Sequence, residues 1–177
     1  MNKKARRIVI SCRIDYVSCW EPKEINGVSK YRVTAIIKKD NKEVIDLIYE
    51  SMEEAKKNYM DLWGGEIPKD LIIPIHDGDL EKSGNEAYEN AIYFNATSNY
   101  PPEIVNKKLE KITNRSEVYS GCHVNLSLRF YGYNFDNKKG IAVGLGNIQK
   151  LGDDVNLSQR LTAKDEFAMV EEDSFLC

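Results

Sequence analysis

Mainly β structure with a single inserted helix is what this 177-residue sequence predicts, and three features predict it. Several segments alternate apolar and polar residues with a period of two, the mark of half-buried strands. One segment carries apolar residues at three- and four-residue spacing, the mark of an amphipathic helix. Between them lie stretches rich in Gly, Pro, Asn and Asp, which form turns and loops.

The first strand is expected from near Arg6 to Val17, with Ile8, Ile10, Cys12 and Ile14 facing in and Arg7, Ser11, Arg13 and Asp15 facing out. A turn-rich stretch with Pro22, Asn26 and Gly27 follows. The second strand spans Lys30 to Lys38, with Tyr31, Val33, Ala35 and Ile37 in one phase and Arg32, Thr34 and Lys38 in the other. Asp40 is the expected helix cap. Val44, Leu47, Ile48, Met52, Ala55 and Tyr59 then form the apolar stripe of a helix ending near Leu62, before Gly64-Gly65. Residues 64–91 read as a long ordered loop with one extended piece, Leu71 to Ile75. The third strand is Ile92 to Thr97, and Glu103 to Ile112, opened by Pro101-Pro102, is compatible with a short helix. The longest strand starts near Val118, turns at Asp136 to Gly140, and returns as Ile141 to Lys150. Several strands, one inserted helix and long connections fit an OB-fold-like five-stranded barrel better than a sandwich.

Composition narrows the function. No apolar run approaches bilayer length, so a membrane role is not expected. The start, MNKKARRIVISCRID, lacks the unbroken apolar stretch of a signal peptide, which points to a cytoplasmic protein. Cys12, Cys19, Cys122 and Cys177 form no C-x-x-C pair, and His76 and His123 are far apart, so the cysteines read as reduced packing residues and no metal or cofactor is expected.

The net charge of −3 is unevenly spread. Residues 153–177 hold seven acids against two bases; that −5 leaves +2 on residues 1–152. The expected organisation is one barrel domain, 1–152, and an acidic, flexible C-terminal tail, 153–177. The tail interleaves Asp165, Glu166, Glu171, Glu172 and Asp173 with Phe167 and Phe175. Such a segment is either a solubilising end or an anionic competitor that lies in a cationic groove and then docks on a partner.

The stretch 122–133, CHVNLSLRFYGY, is the most informative. Cys122, Val124, Leu126, Leu128 and Phe130 make one face. His123, Asn125, Ser127, Arg129, Tyr131 and Tyr133 make the other. Rings for bases and cations for phosphates are what single-stranded nucleic acid requires. An ordinary half-exposed strand carries the same residues. In the returning strand, Gly144 and Gly146 either leave a bare face for a flat base or mark a barrel bend. Lys138-Lys139 at the turn supply charge.

Other segments carry less. His76-Asp77-Gly78-Asp79 resembles an acid/base or metal cluster, but aspartates flanking glycine also make tight turns. Trp63-Gly64-Gly65 is a stacking platform or a helix terminus with a packed indole. No Walker loop, nucleophile elbow or helical zinc motif is present.

Taken together, WGGEIPKDLIIPIHDGD (63–79), YFNATS (93–98), SEVYSGCHVNLSLRFYGYN (116–134) and KGIAVGLGNIQKLGD (139–153) resemble a phage and prophage family of OB-fold single-stranded DNA-binding proteins. The resemblance implies sequence-independent binding of single strands in phage DNA replication, recombination or repair, in an infected or lysogenic bacterial cell. On that reading the protein is not an enzyme. Tyr131 and Tyr133, with Tyr93 and Tyr31, stack on bases, while Arg129, Arg32, Arg13, Lys138 and Lys139 hold phosphates. The tail contacts phage or host replication proteins, and a homodimer stays open. The alternatives are a metal-dependent nuclease using His76, Asp77 and Asp79, and a virion or protein-interaction component without DNA affinity.

Overall fold

Five of the period-two segments close on one another. The computed structural model describes residues 6–158 and 163–170. Its strands are β1 (Arg7–Ile25), β2 (Val28–Lys38), β3 (His76–Asp77), β4 (Ala91–Ser98), β5 (Ile104–Val105), β6 (His123–Phe135) and β7 (Lys138–Gly152); its α-helices are α1 (Lys42–Asn58), α2 (Gly78–Glu81) and α3 (Ala163–Glu166). The sheet order is β3-β4-β2-β1-β6-β7-β5, and a parallel contact between Thr97 and Gly144 joins β4 to β7, each one strand in from an edge. β4, β2, β1, β6 and β7 therefore form the closed five-stranded barrel expected of an OB-like fold.

Alternation sets the inside of the barrel. Ile8, Ile10, Cys12 and Ile14 of β1, Val33, Ala35 and Ile37 of β2, and Val124, Leu126, Leu128 and Phe130 of β6 are all buried. Each fully buried Leu or Ile contributes roughly 1.5–3 kcal/mol. Helix α1 closes one end: Ile48, Met52 and Ala55 recur at four- and three-residue spacing and are buried in the same core.

Several expectations need correction. The strand expected from near Val118 starts at His123, because Arg115–Glu117 form a 3-10 turn and the chain turns again at Ser120-Gly121. β1 runs on to Ile25, because Pro22 falls in a register shift between Ser18 and Lys23, where no ladder donor is needed. Asn26 and Gly27, both at positive φ, then join Ile25 to Val28 in a two-residue hairpin. Asn41, not Asp40, is the helix cap, and it makes no side-chain capping bond. The helix itself stops at Asn58, and a 3-10 turn, Met60–Trp63, carries the chain to Gly64 at φ 93°. Glu103 to Ile112 is not helical: Ile104 and Val105 pair with Ile148 and Gln149, and the Asn106 side chain accepts from the N–H groups of Lys108 and Glu110. That turn uses the donors a helix would need.

Residues 76–90 form a second layer over the outer face of β2 and β4. Ile36, Ala87, Tyr88 and Ala91 pack together, with Tyr93 and Leu157 against them. The Tyr88 hydroxyl donates to the buried Asp15 carboxylate at 2.6 Å. Burial, and then that carboxylate, push the Tyr88 phenol up.

Candidate nucleic-acid interface

The β6–β7 hairpin projects a regular two-stranded face. Its turn is Asp136-Asn137, both at positive φ, between the paired residues Phe135 and Lys138. The pairing sets Arg129 opposite Gly144, Tyr131 opposite Ala142, Tyr133 opposite Gly140 and Phe135 opposite Lys138. Because side chains alternate, these eight residues share one outward face. Lys138 therefore stands on the same face as the rings, while Lys139 falls on the other with Asn134.

Opposite the rings the strand is almost bare. A Cβ at Gly140 would lie 2.5 Å from the Tyr133 hydroxyl, so the ring of Tyr133 lies across that glycine. The Arg129 guanidinium sits 5.6 Å from the centroid of the Tyr131 ring, within cation–π range. Tyr131 and Tyr133 are half-buried, whereas Phe135 is 80% exposed. Desolvation raises the Tyr131 phenol, and Arg129 partly offsets it. Residues two apart on a strand are about 7 Å apart, so Tyr131, Tyr133 and Phe135 form a ladder of rings at regular intervals.

A second line of residues crosses this ladder. Arg32 pairs with Thr97, Thr97 with Gly144, Gly144 with Arg129, and Arg129 with Arg7. Five strands thus bring three arginines of the outward phase into one row around the barrel. Arg32 is half-buried, and its Nη2 donates to the Asn95 side chain at 2.9 Å.

Other expected site residues lie elsewhere. Arg13 has the outward phase of Arg7, but its Nε donates to the Gly121 carbonyl at 2.9 Å and its Nη2 to the Val155 carbonyl at 2.8 Å. It lies 3.6 Å from Asp154 as well, so it binds the chain after β7 to the barrel. Tyr93 stacks on His76 at 5.0 Å and meets Tyr88 edge-on at 5.1 Å, under the second layer. Tyr31 shares the phase of Val33 and Ala35, so it does not stand beside Arg32. Trp63 is buried and donates to the Tyr133 carbonyl at 2.9 Å, which makes it a packed indole under the hairpin.

The His76-Asp77-Asp79 segment is organised around a lysine. Lys39 lies 2.9 Å from Asp77 and 2.7 Å from Asp79, and the Asp77 side chain accepts from the Asp79 N–H at the start of α2. Lys39 holds both carboxyls below the usual aspartate range. His76 is paired with Glu81 at 2.8 Å. Among the described residues no group of three or more His, Cys, Asp or Glu could hold a metal ion. No helix among them is long and apolar enough to cross a membrane.

Beyond β7 the chain stays on the barrel. Asp153 meets Lys150, Asp154 meets His123 at 2.8 Å, and the Leu157 N–H donates to the Ser120 carbonyl. The barrel's hydrogen bonds thus reach Leu157, past the 152/153 division drawn from composition. Of the tail residues singled out, Glu166 is exposed and the backbone of Asp165 lies in α3, while Glu171, Glu172, Asp173 and Phe175 lie outside the described residues.

Three neighbours of the face were passed over in the sequence. Phe135 continues the phase of Tyr131 and Tyr133 and could have been read from it. Arg7 is outward in its own strand but meets Arg129 only through the β1–β6 register, and Tyr100 joins them only through closure of β4 on β7.

Comparison with known proteins gives a consistent result. The model of the family described as "Enterobacter phage Enc34, ssDNA-binding protein" matches residues 6–176. Protein p50 of Acyrthosiphon pisum secondary endosymbiont phage 1 is 27% identical over 180 residues, covering 93% of this chain and 95% of its own. The single-stranded DNA-binding protein from bacteriophage Enc34, solved in complex with ssDNA, superposes with a TM-score of 0.75 at 25% identity, covering 85% of this chain and 89% of that one. The single-stranded DNA-binding protein gp2.5 of bacteriophage T7 shares the fold, with a TM-score of 0.59 at 14% identity over 97% of this chain and 100% of that one.

Proposed function

The chain belongs to the family of the Enterobacter phage Enc34 ssDNA-binding protein, and on that premise we propose that it coats single-stranded DNA, without reading its sequence or cleaving it, during phage DNA replication, recombination or repair. The observation that carries this reading is the outward face of the hairpin. Three rings at regular intervals line one arm, small residues line the other, and Arg129 and Lys138 stand at the two ends. Every base has a flat face, so stacking on such a ladder tolerates any sequence. The relative solved with ssDNA supports the same ligand.

The test is fluorescence anisotropy with labelled oligonucleotides. Single strands should bind more tightly than duplexes of the same length. Each phosphate neutralised adds about −0.7 to the slope of log affinity against log salt. Arg7, Arg32, Arg129 and Lys138 together predict a slope of about −3. Equal affinity for duplex, or no binding at low salt, would overturn the proposal.

The acidic segment, with Asp165, Glu166, Glu171, Glu172, Asp173 and Phe175, is part of the same reading. It competes with phosphates for the cationic row and, when displaced, is free to contact replication proteins. Deleting residues 165–177 should tighten DNA binding at low salt, and an unchanged or weaker affinity would refute the competition.

A further inference from the structure

The glycines of β7 do not all need to be glycine. A Cβ at Gly140 would strike the Tyr133 hydroxyl at 2.5 Å, and one at Gly146 would strike the Ser127 Oγ at 2.2 Å. At Gly144 the nearest atom to a Cβ is the Arg129 carbonyl oxygen at 3.5 Å, then the Tyr131 ring at 3.6 Å. Both are ordinary contacts, and Gly144 is not among the glycines at positive φ. Neither packing nor backbone conformation calls for a missing side chain there. What its absence leaves is a cleft of about 280 Å³ at the seam where β4 meets β7.

The walls of that cleft have a particular chemistry. Gly144 and Gly146 give it a backbone floor, and Leu128 and Leu145 contribute apolar edges. Tyr100 stands on its rim, 79% exposed, placed by a bond from its N–H to the Ser98 Oγ and by the stiff Pro101-Pro102 that follows. Arg7 and Arg129 face each other directly across the β1–β6 ladder on its other side. Among the described residues no carboxylate forms an ion pair with either. Like charges directly opposite are unfavourable, and an anion between them relieves the repulsion. A slot with a backbone floor, leucine edges, the Ser98 and Ser127 hydroxyls and a pair of guanidiniums beside it matches the mixed chemistry of a nucleotide: the base inside, the phosphate at the mouth.

We propose that the Gly144 cleft holds one nucleobase of the bound strand, turned out of the run stacked on the hairpin, with Tyr100 against its face and its phosphate on Arg7 and Arg129. This rests on the single-strand reading above and adds a site to it. Gly144 contributes to this site by leaving the slot empty.

The full-length chain tests this with Gly144→Leu, Gly144→Ala and Tyr100→Ala, each titrated with oligo(dT) by anisotropy at several salt concentrations, beside thermal melts. Leucine fills the slot while its Cβ meets nothing closer than 3.5 Å. Gly144→Leu and Tyr100→Ala should each weaken binding about tenfold, the loss of one stacked base, with the salt slope unchanged. The double variant should be no weaker than either single one, because both remove the same site. Gly144→Ala should bind close to the wild type. If Gly144→Leu binds as the wild type does with its melt intact, the cleft holds no base, while binding elsewhere on the hairpin stands. If Gly144→Leu fails to fold, Tyr100→Ala decides, since its ring is exposed; wild-type affinity in that variant overturns the site. If the wild type binds no single strand, the wider reading falls and the cleft falls with it.

Discussion

Phe135 separates binding from folding better than any other residue of the hairpin face. Its ring is 80% exposed at the tip of β6, and the Asp136-Asn137 turn beside it is built from backbone at positive φ, not from the ring. A phenylalanine side chain offers roughly 150–250 Å². A stacked base covers about one face, half of that area. At about 25 cal/mol/Å² this is worth roughly 2–3 kcal/mol, and ordering the ring reduces it toward the range of about 1–3 kcal/mol measured per stacked base. Phe135→Ala should therefore weaken oligonucleotide binding by about 5- to 150-fold. Stability should move by no more than about 0.5 kcal/mol, as for other exposed substitutions. The salt slope should not change, because no phosphate contact is lost. Anisotropy across a salt series and a urea melt measure all three. Wild-type affinity in Phe135→Ala would show that the ladder ends at Tyr133, and a large loss of stability would show the ring to be part of the core.

Further outcomes follow from other parts of the fold. Tyr88→Phe leaves the buried Asp15 carboxylate without its 2.6 Å donor, so stability should fall by about 1–3 kcal/mol in a urea melt while oligonucleotide affinity holds. Gly121→Ala places a Cβ 2.0 Å from the Val155 carbonyl oxygen at a φ of 116°, and should cost about 2 kcal/mol or more, read by the same melt. Asp153 and Asp154 are held below the ordinary value of 3.8 by Lys150 and His123 respectively. A lowered carboxyl stabilises the fold above its unfolded value and loses that contribution as pH falls through its folded one. The stretch 153–157 should therefore loosen only below about pH 4, seen as faster amide exchange there; loosening that begins near neutral pH would contradict the assignment. Burial pushes the Cys19 thiol up to about 12 and raises those of Cys12 and Cys122, so all three should resist iodoacetamide at pH 8 until the protein unfolds, as peptide mass mapping would show.

What the sequence determined by itself is what depends on near neighbours in the chain. Alternation along 7–14, 31–37 and 122–133 settles which side chains face inward, because a strand reverses direction at every residue. The rings and cation of β6 were legible for the same reason. Errors arose where local pattern and local chemistry disagreed, as at Glu103 to Ile112, where the Asn106 side chain takes the donors a helix needs. Only the tertiary structure decided which outward residues stay available. Arg7 and Arg13 share a strand and a phase, yet the chain after β7 returns over Arg13, where the Val155 carbonyl and the Asp154 carboxylate occupy that guanidinium, while closure of β4 on β7 sets Arg7 beside a cleft. Tyr93 and Tyr131 are equally aromatic and equally outward, but residues 76–90 cover the first. Register between strands far apart in sequence fixes such neighbours, and no periodicity within one strand encodes it.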